Sequence, residues 1–267
     1  MLNEEFSLGD NEFAFEEVFA TLRAEFRIDA QDCLAQLEGD LERVRKKTVT
    51  ASSSLSELCR EIHSMKGSGG SFGFPTITVI AHRLESYISG ISGLDDGSID
   101  DILIFLDRMR DILDCDDDDE KTADIVRALP VHSVARMPDI DGPSLEVLLA
   151  ASTPIIGRAV EGEFKLQGCR VTMLNNPIEA FEMAIRTRPD VVVASAISKD
   201  IGGADLAAAF RAMKSTQNIT FALLTSFPRS HPELRDLPEE IVLIRHDQDL
   251  PGEITRLRDR ITEVTAA

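Results

Sequence analysis

The chain has 267 residues, 43% hydrophobic and 28% charged, with no Trp and a formal net charge of −19. That length accommodates about two domains with packed cores, and the longest apolar runs, such as VVVASAI at 191–197, are far too short to span a bilayer. Residues 1–130 hold 28 acidic against 13 basic side chains and the remainder 19 against 15, a field that repels nucleic acid and anionic membrane and argues against both as partners.

The opening stretch, MLNEEFSLGDNEF, is acidic and lacks the basic and apolar regions of a signal peptide. The four cysteines, Cys33, Cys59, Cys115 and Cys169, are scattered without CxxC spacing, so neither a zinc site nor a disulfide framework is indicated. A soluble protein of a reducing cytoplasm is the expectation.

From Phe13 to about Lys47 the apolar residues Phe15, Val18, Phe19, Leu22 and Phe26, then Ile28, Leu34, Leu37, Leu41 and Val44, recur at helical spacing with charges opposite. The run TVTASSSLSEL interrupts the pattern, and Ser53 or Ser54 is expected to cap the next helix with Glu57 in its first turn. That helix carries His63. Another follows Pro75, with Ile77, Ile80, Leu84, Tyr87 and Ile88, and GLDDGSIDD opens a further one through Ile102, Phe105, Leu106, Met109 and Leu113. A short helix in EKTADIVRALP closes a set in which nothing alternates with period two. The acidic run DCDDDDE at 114–120 lacks the spacing of a calcium loop and reads as a solvated turn. The segment 131–143, VHSVARMPDIDGP, has two prolines, one glycine and no periodicity, which marks a linker.

Beyond it the period changes. LEVLLA at 145–150, RVTMLN at 170–175, DVVVAS at 190–195, TFALLT at 220–225 and IVLIR at 241–245 are short strand-like runs. Helical stretches lie at 153–167, 177–187, 203–214 and 250–264. Strand alternating with helix implies a parallel sheet with helices on both faces. The fold class is therefore multidomain, α plus α/β: a bundle of five or six helices over 12–130, the linker 131–143, and a (βα)5 parallel sheet over 144–264.

Residues 63–73 read HSMKGSGGSFG. On a helix His63, Lys66 and Gly67 share one face. A neutral imidazole is a competent nucleophile, and a phosphoryl group landing on it needs a nearby cation and open space. Lys66 offers a mobile positive charge; Gly67, Gly69, Gly70 and Gly73 clear the approach and permit close helix packing. A surface histidine before a glycine-rich helix crossing fits the same spacing.

With AHRLES at 81–86, this stretch resembles the histidine-phosphotransfer (HPt) motif, H-x-x-K-G followed by A-H-x-L-E, and is most similar to the N-terminal phosphotransfer domain of chemotaxis histidine kinases, over about residues 12–130. The resemblance implies that His63 is phosphorylated, that Glu85 accepts its Nδ1–H and so leaves Nε2 free, that Lys66 contacts the phosphoryl group, and that Gly67 keeps the face clear. His82, without a glycine-rich approach, is expected to be structural, and His132, His231 and His246 incidental. There is no G-x-x-x-x-G-K-[ST] loop and no glycine-rich nucleotide box, so the expectation is a phosphoryl carrier rather than a kinase. Histidine kinases and response-regulator receiver domains would be its partners. Mg²⁺ would come from the partner, with no cofactor bound by this chain, and a homodimer is left open.

The second half resembles a response-regulator receiver over about 144–264. In a receiver, an acidic pair after the first strand holds Mg²⁺, an aspartate ends the third strand, a Thr or Ser the fourth, and a lysine the fifth. Here Ala150, Ala151 and Ser152 stand at the acidic pair, Ser195 at the aspartate, Thr225 and Ser226 at the hydroxyl, and Arg245 near the lysine. Asp190 starts the third strand instead of ending it, and Asp200, past the strand, is the one substitute acceptor. SFPRSHPELRDLPEE at 226–240 has three prolines where the fourth helix belongs, so that helix is expected to be short or absent. The resulting reading is a pseudo-receiver, used for docking, dimerisation or regulation, with an unrelated doubly wound domain as the alternative. The functional expectation is a carrier in a two-component phosphorelay; the alternative is a signalling interaction protein whose phosphotransfer role has lapsed.

Overall fold

In a computed structural model of the chain, residues 8–115, 121–131, 144–199, 201–235 and 237–266 are described, and the chain divides into two units, Met1–Asp118 and Asp119–Ala267. Most of the linker expected at 131–143, most of the acidic run at 114–120, and His132 and Asp200 lie outside the described residues.

In the first unit, α1 spans Leu8–Arg45, α2 Ala51–Gly69, α3 Pro75–Gly90 and α4 Asp96–Asp114. Buried Ala30, Leu34, Leu37, Leu41 and Val44 follow the helical repeat along α1. The expected stripe does not stay buried upstream: Val18 and Leu22 are exposed, as is Ile28. Length explains this, because α1 has 38 residues whereas α2, α3 and α4 have 19, 16 and 19. A 38-residue helix is about 57 Å long, and its first half outruns the shorter helices.

Thr50, not Ser53 or Ser54, caps α2: its backbone is extended and its side chain accepts from the Ser53 amide at 3.4 Å. The helix thus begins three or four residues before the expected point, and Glu57 falls outside the first turn. Pro75 opens α3, where its missing N–H costs nothing. A reciprocal box opens α4: the Ser98 amide donates to Asp95 Oδ1 at 2.7 Å, and the Asp95 amide donates to Ser98 Oγ at 2.8 Å. The four helices enclose a core that includes Leu34, Leu58, Ile62, Ile77, Leu84 and Phe105. Among the described residues no helix is long and apolar enough to cross a membrane.

The short helix α5, Thr122–Ala128, which the sequence pattern grouped with the bundle, lies instead in the second unit. Arg170 donates to the backbone carbonyls of Val126, Arg127 and Leu129 at the C-terminal end of α5, where a cation also offsets the helix dipole. Arg127 in turn pairs with Asp190 at 3.3 Å.

The strands are β1 Glu146–Ala150, β2 Arg170–Leu174, β3 Val191–Ser195, β4 Thr220–Thr225 and β5 Val242–Arg245. All pair in parallel, in the order β2-β1-β3-β4-β5. This is the doubly wound order 2-1-3-4-5, in which functional groups gather at the carboxyl ends of the strands. The connecting helices are α6 Pro154–Leu166, α7 Pro177–Thr187 and α8 Gly203–Ala212, and α9 Leu250–Ala266 follows β5. Val147, Leu149, Val193 and Leu224 face α6 and α9 through Phe164 and Leu257. Phe221 meets Phe210 of α8, which packs edge-on against Phe181 of α7, on the other face. As expected of its prolines, the segment after β4 forms a single 3-10 turn, Pro232–Leu234, in place of a fourth connecting helix.

Candidate functional site

On α2, Leu58, Ile62, Met65 and Gly69 are buried, and on α3 so are Ile77, Ile80, Leu84 and Ile88. His63 and Lys66 lie beside the first stripe and Glu85 beside the second, so closing the two helices brings these three side chains together at the margin of the core. His63 Nδ1 is 3.0 Å from Glu85 Oε1, and Lys66 Nζ donates to Glu85 Oε2 at 2.7 Å. An ionised carboxylate only accepts, so in the neutral imidazole Nδ1 carries the proton and Nε2 keeps its lone pair. The His63 side chain is 73% exposed, whereas those of Lys66 and Glu85 are 18% and 27% exposed.

The expectation of a mobile Lys66 on an open face is corrected by this geometry. Its stem is largely covered and its ammonium is fixed on the carboxylate that also holds the imidazole. Burial pushes the Glu85 carboxyl up, but the hydrogen bonds from Lys66 and His63 and the Lys66 charge outweigh it, and the group ends below its ordinary value of 4.5. His82 lies buried on α3 and adds a smaller electrostatic contribution in the same direction.

The glycines beside His63 divide by task. A Cβ at Gly67 would meet nothing within 4 Å, so the surface above it is open. At Gly69 a Cβ would stand 3.1 Å from the Phe74 carbonyl oxygen and 3.3 Å from Ile77 Cγ2, so this residue sets the close approach of α2 to α3. Gly73 adopts φ of +81°, the left-handed region open to glycine. The turn it forms is held from α1, where Phe26 stacks on Phe72 with ring centroids 5.1 Å apart and the Arg23 guanidinium lies 4.6 Å from the Phe74 ring centroid. These supports escaped the sequence pattern, as did Thr78, which bonds to the end of α2. On the α1 side of α2, Cys33 Sγ donates to Glu61 at 3.5 Å. Burial and the Glu61 charge push the Cys33 thiol up to about 12, which leaves it unreactive.

At the carboxyl ends of the second unit's strands, the polar groups bond to one another. The Ser152 amide donates to Ser195 Oγ at 2.9 Å, and Ser152 Oγ donates to the Ile197 carbonyl at 2.8 Å. Thr225 Oγ1 accepts from the Phe227 amide at 3.0 Å, and Arg245 forms two bonds to Asp247, at 3.0 and 2.9 Å. Mg²⁺ prefers carboxylate and water oxygens in octahedral array. Ala150, Ser152, Ser195 and Thr225 offer no carboxylate, and Asp247 is occupied by Arg245, so this donor set does not fit the ion. Asp190 lies at the opposite end of the sheet, accepting the Glu146 amide at 2.7 Å.

No curated protein matches this chain. Among solved structures it is similar to the receiver domain of a sensor histidine kinase from Pseudomonas aeruginosa, at 19% identity over 44% of this chain and 96% of that one, with a TM-score of 0.40. A chemotaxis response regulator from Vibrio cholerae matches at 17% identity over 44% and 98%, with a TM-score of 0.39. The anti-anti-sigma factor PhyR from Bartonella quintana matches at 14% identity over 86% and 87%, with a TM-score of 0.34. Residues 21–118 match the family model described as the Hpt domain. This segment contains His63, Lys66, Gly67 and Glu85, and the five-stranded parallel sheet in the order β2-β1-β3-β4-β5 follows it.

Proposed function

We propose that the chain is a phosphoryl carrier of a two-component phosphorelay, with His63 as the residue that takes and passes the phosphoryl group. The observation that supports this most is the exposed imidazole held through Nδ1 on Glu85, because that contact leaves the Nε2 lone pair facing outward. Nε2 attacks the phosphorus of an aspartyl phosphate on a partner receiver, in line with the P–O bond. That bond breaks as P–N forms, and the aspartate leaves as a carboxylate. The Nδ1 proton stays on the ring, where the Glu85 charge offsets the imidazolium that phosphorylation creates. Such transfers depend on positioning and charge stabilisation. Lys66 contributes by fixing Glu85, and the open surface above Gly67 admits the partner's loops.

In this reading the partner receiver or kinase supplies Mg²⁺, and the second unit acts through its surfaces as a pseudo-receiver for docking, dimerisation or regulation. The polar groups at its strand ends satisfy one another and present no phosphoacceptor carboxylate among the described residues. Transfer from a panel of phosphorylated receivers and autophosphorylated kinases tests the proposal. An acid-labile label is expected on the wild-type chain and none on His63→Gln with its helical circular dichroism intact. A label retained by His63→Gln, or mapped to His82, sinks it.

A further inference from the structure

We propose that Thr78 is a positioning residue for His63: its hydroxyl fixes α3 against the last turn of α2, in the register that brings Glu85 to both His63 and Lys66. This rests on the reading of His63 as the phosphoacceptor. Thr78 Oγ1 accepts from the Gly70 amide at 3.1 Å and donates to the Lys66 carbonyl at 3.1 Å. Those are the two groups that an i to i−4 helical bond would pair, so the hydroxyl is spliced into the backbone ladder at the end of α2. Gly69 and Gly70 leave room for it: a Cβ at either position would stand 3.3 or 3.5 Å from Thr78 Oγ1.

Thr78 and Glu85 are seven residues apart on α3, two turns along one face. Lys66 is thereby held at both ends, its carbonyl by Thr78 and its ammonium by Glu85. A slide or rotation of α3 along α2 has to break the Thr78 bonds before it can carry Glu85 away from His63. Without the hydroxyl, Lys66 and Gly70 regain an ordinary helical bond, and α3 loses the constraint that sets the position of Glu85.

The test uses the full chain with Thr78→Val, which keeps the side-chain shape without the hydroxyl, and Thr78→Ser, which keeps the hydroxyl. Phosphoramidate is the small-molecule phosphodonor, and nitrogen-15 NMR reports the His63 tautomer. We expect Thr78→Val to slow His63 labelling by about threefold to tenfold, the rate equivalent of one net hydrogen bond. The same variant should turn a single Nδ1–H tautomer into a mixture, and Thr78→Ser should restore both readouts. Wild-type labelling rate and tautomer in Thr78→Val would overturn the proposal. So would a Thr78→Ser variant as impaired as Thr78→Val, because the effect would then be packing alone. Should Thr78→Val not fold, Thr78→Ala is read in the same two ways. If wild-type His63 takes no label, the phosphoacceptor reading fails, and the tautomer comparison still decides the role of Thr78.

Discussion

Glu85 accepts from His63 with one oxygen and from Lys66 with the other, so the state of a single carboxylate governs both neighbours. Its folded pKa lies below the ordinary value of 4.5. A depressed carboxyl contributes stability that is present above its unfolded pKa and is lost as pH falls through the folded one. Lys66→Met keeps an apolar stem in a place that is only 18% exposed but removes the charge that lowers Glu85. Denaturant unfolding across the acid range should therefore show wild-type stability falling below 4.5, with a smaller fall in Lys66→Met. An identical acid slope in both proteins would remove Lys66 from the cause. Spacing in HSMKGSGGSFG placed His63, Lys66 and Gly67 on one face, and only the resemblance of that stretch with AHRLES to the HPt motif singled out His63 and Glu85. The cover over Lys66 and the splice at Thr78 were not legible, since they arise only when α3 lies across the end of α2.

The strands and their helices were legible because a parallel sheet imprints short apolar runs between helical stretches. That alternation implied a parallel sheet but left the strand order β2-β1-β3-β4-β5 open. Placement of α5 was not legible, since seven residues with Val126 buried could pack on either neighbour. Arg170, more than forty residues away, decides it by bonding the carbonyls at the end of α5 while pairing with buried Glu146 at 3.0 Å. Arg170→Met should thus destabilise the second unit by about 3 kcal/mol, the cost of removing one member of a buried ion pair. Hydrogen exchange should place the loss in α5 and β2. Unchanged protection there would show that α5 is held by its apolar contacts alone. Along α1, the helical spacing predicted an apolar stripe throughout, and the shortness of the other three helices defeats it upstream of Ala30.

At the scale of the whole molecule, one unit holds an exposed histidine on a carboxylate, and the other holds a sheet whose strand ends carry Ala150, Ser195, Thr225 and Arg245. In the proposed function the first unit carries the phosphoryl chemistry and the second the surface recognition. With Mg²⁺ and beryllofluoride, a mimic of aspartyl phosphate, the full chain should show no chemical-shift change at Ser195 or Thr225, and acetyl phosphate should leave no label in residues 144–267. A Mg²⁺-dependent label mapped to Ser195 or Asp200 would make the second unit a working receiver.

The central claim is that Glu85 presents Nε2 of His63 for phosphorylation, and NMR of the phosphorylated full chain tests it most directly. Phosphorus-31 and nitrogen-15 spectra of the wild-type protein should show phosphorus on Nε2 of His63, with the proton on Nδ1 and its exchange slowed by Glu85. In Glu85→Gln the labelling rate should fall by about tenfold to a hundredfold, the range expected for a lost charge-assisted hydrogen bond. Phosphorus found on Nδ1, or a Glu85→Gln variant labelled at the wild-type rate, would contradict the account.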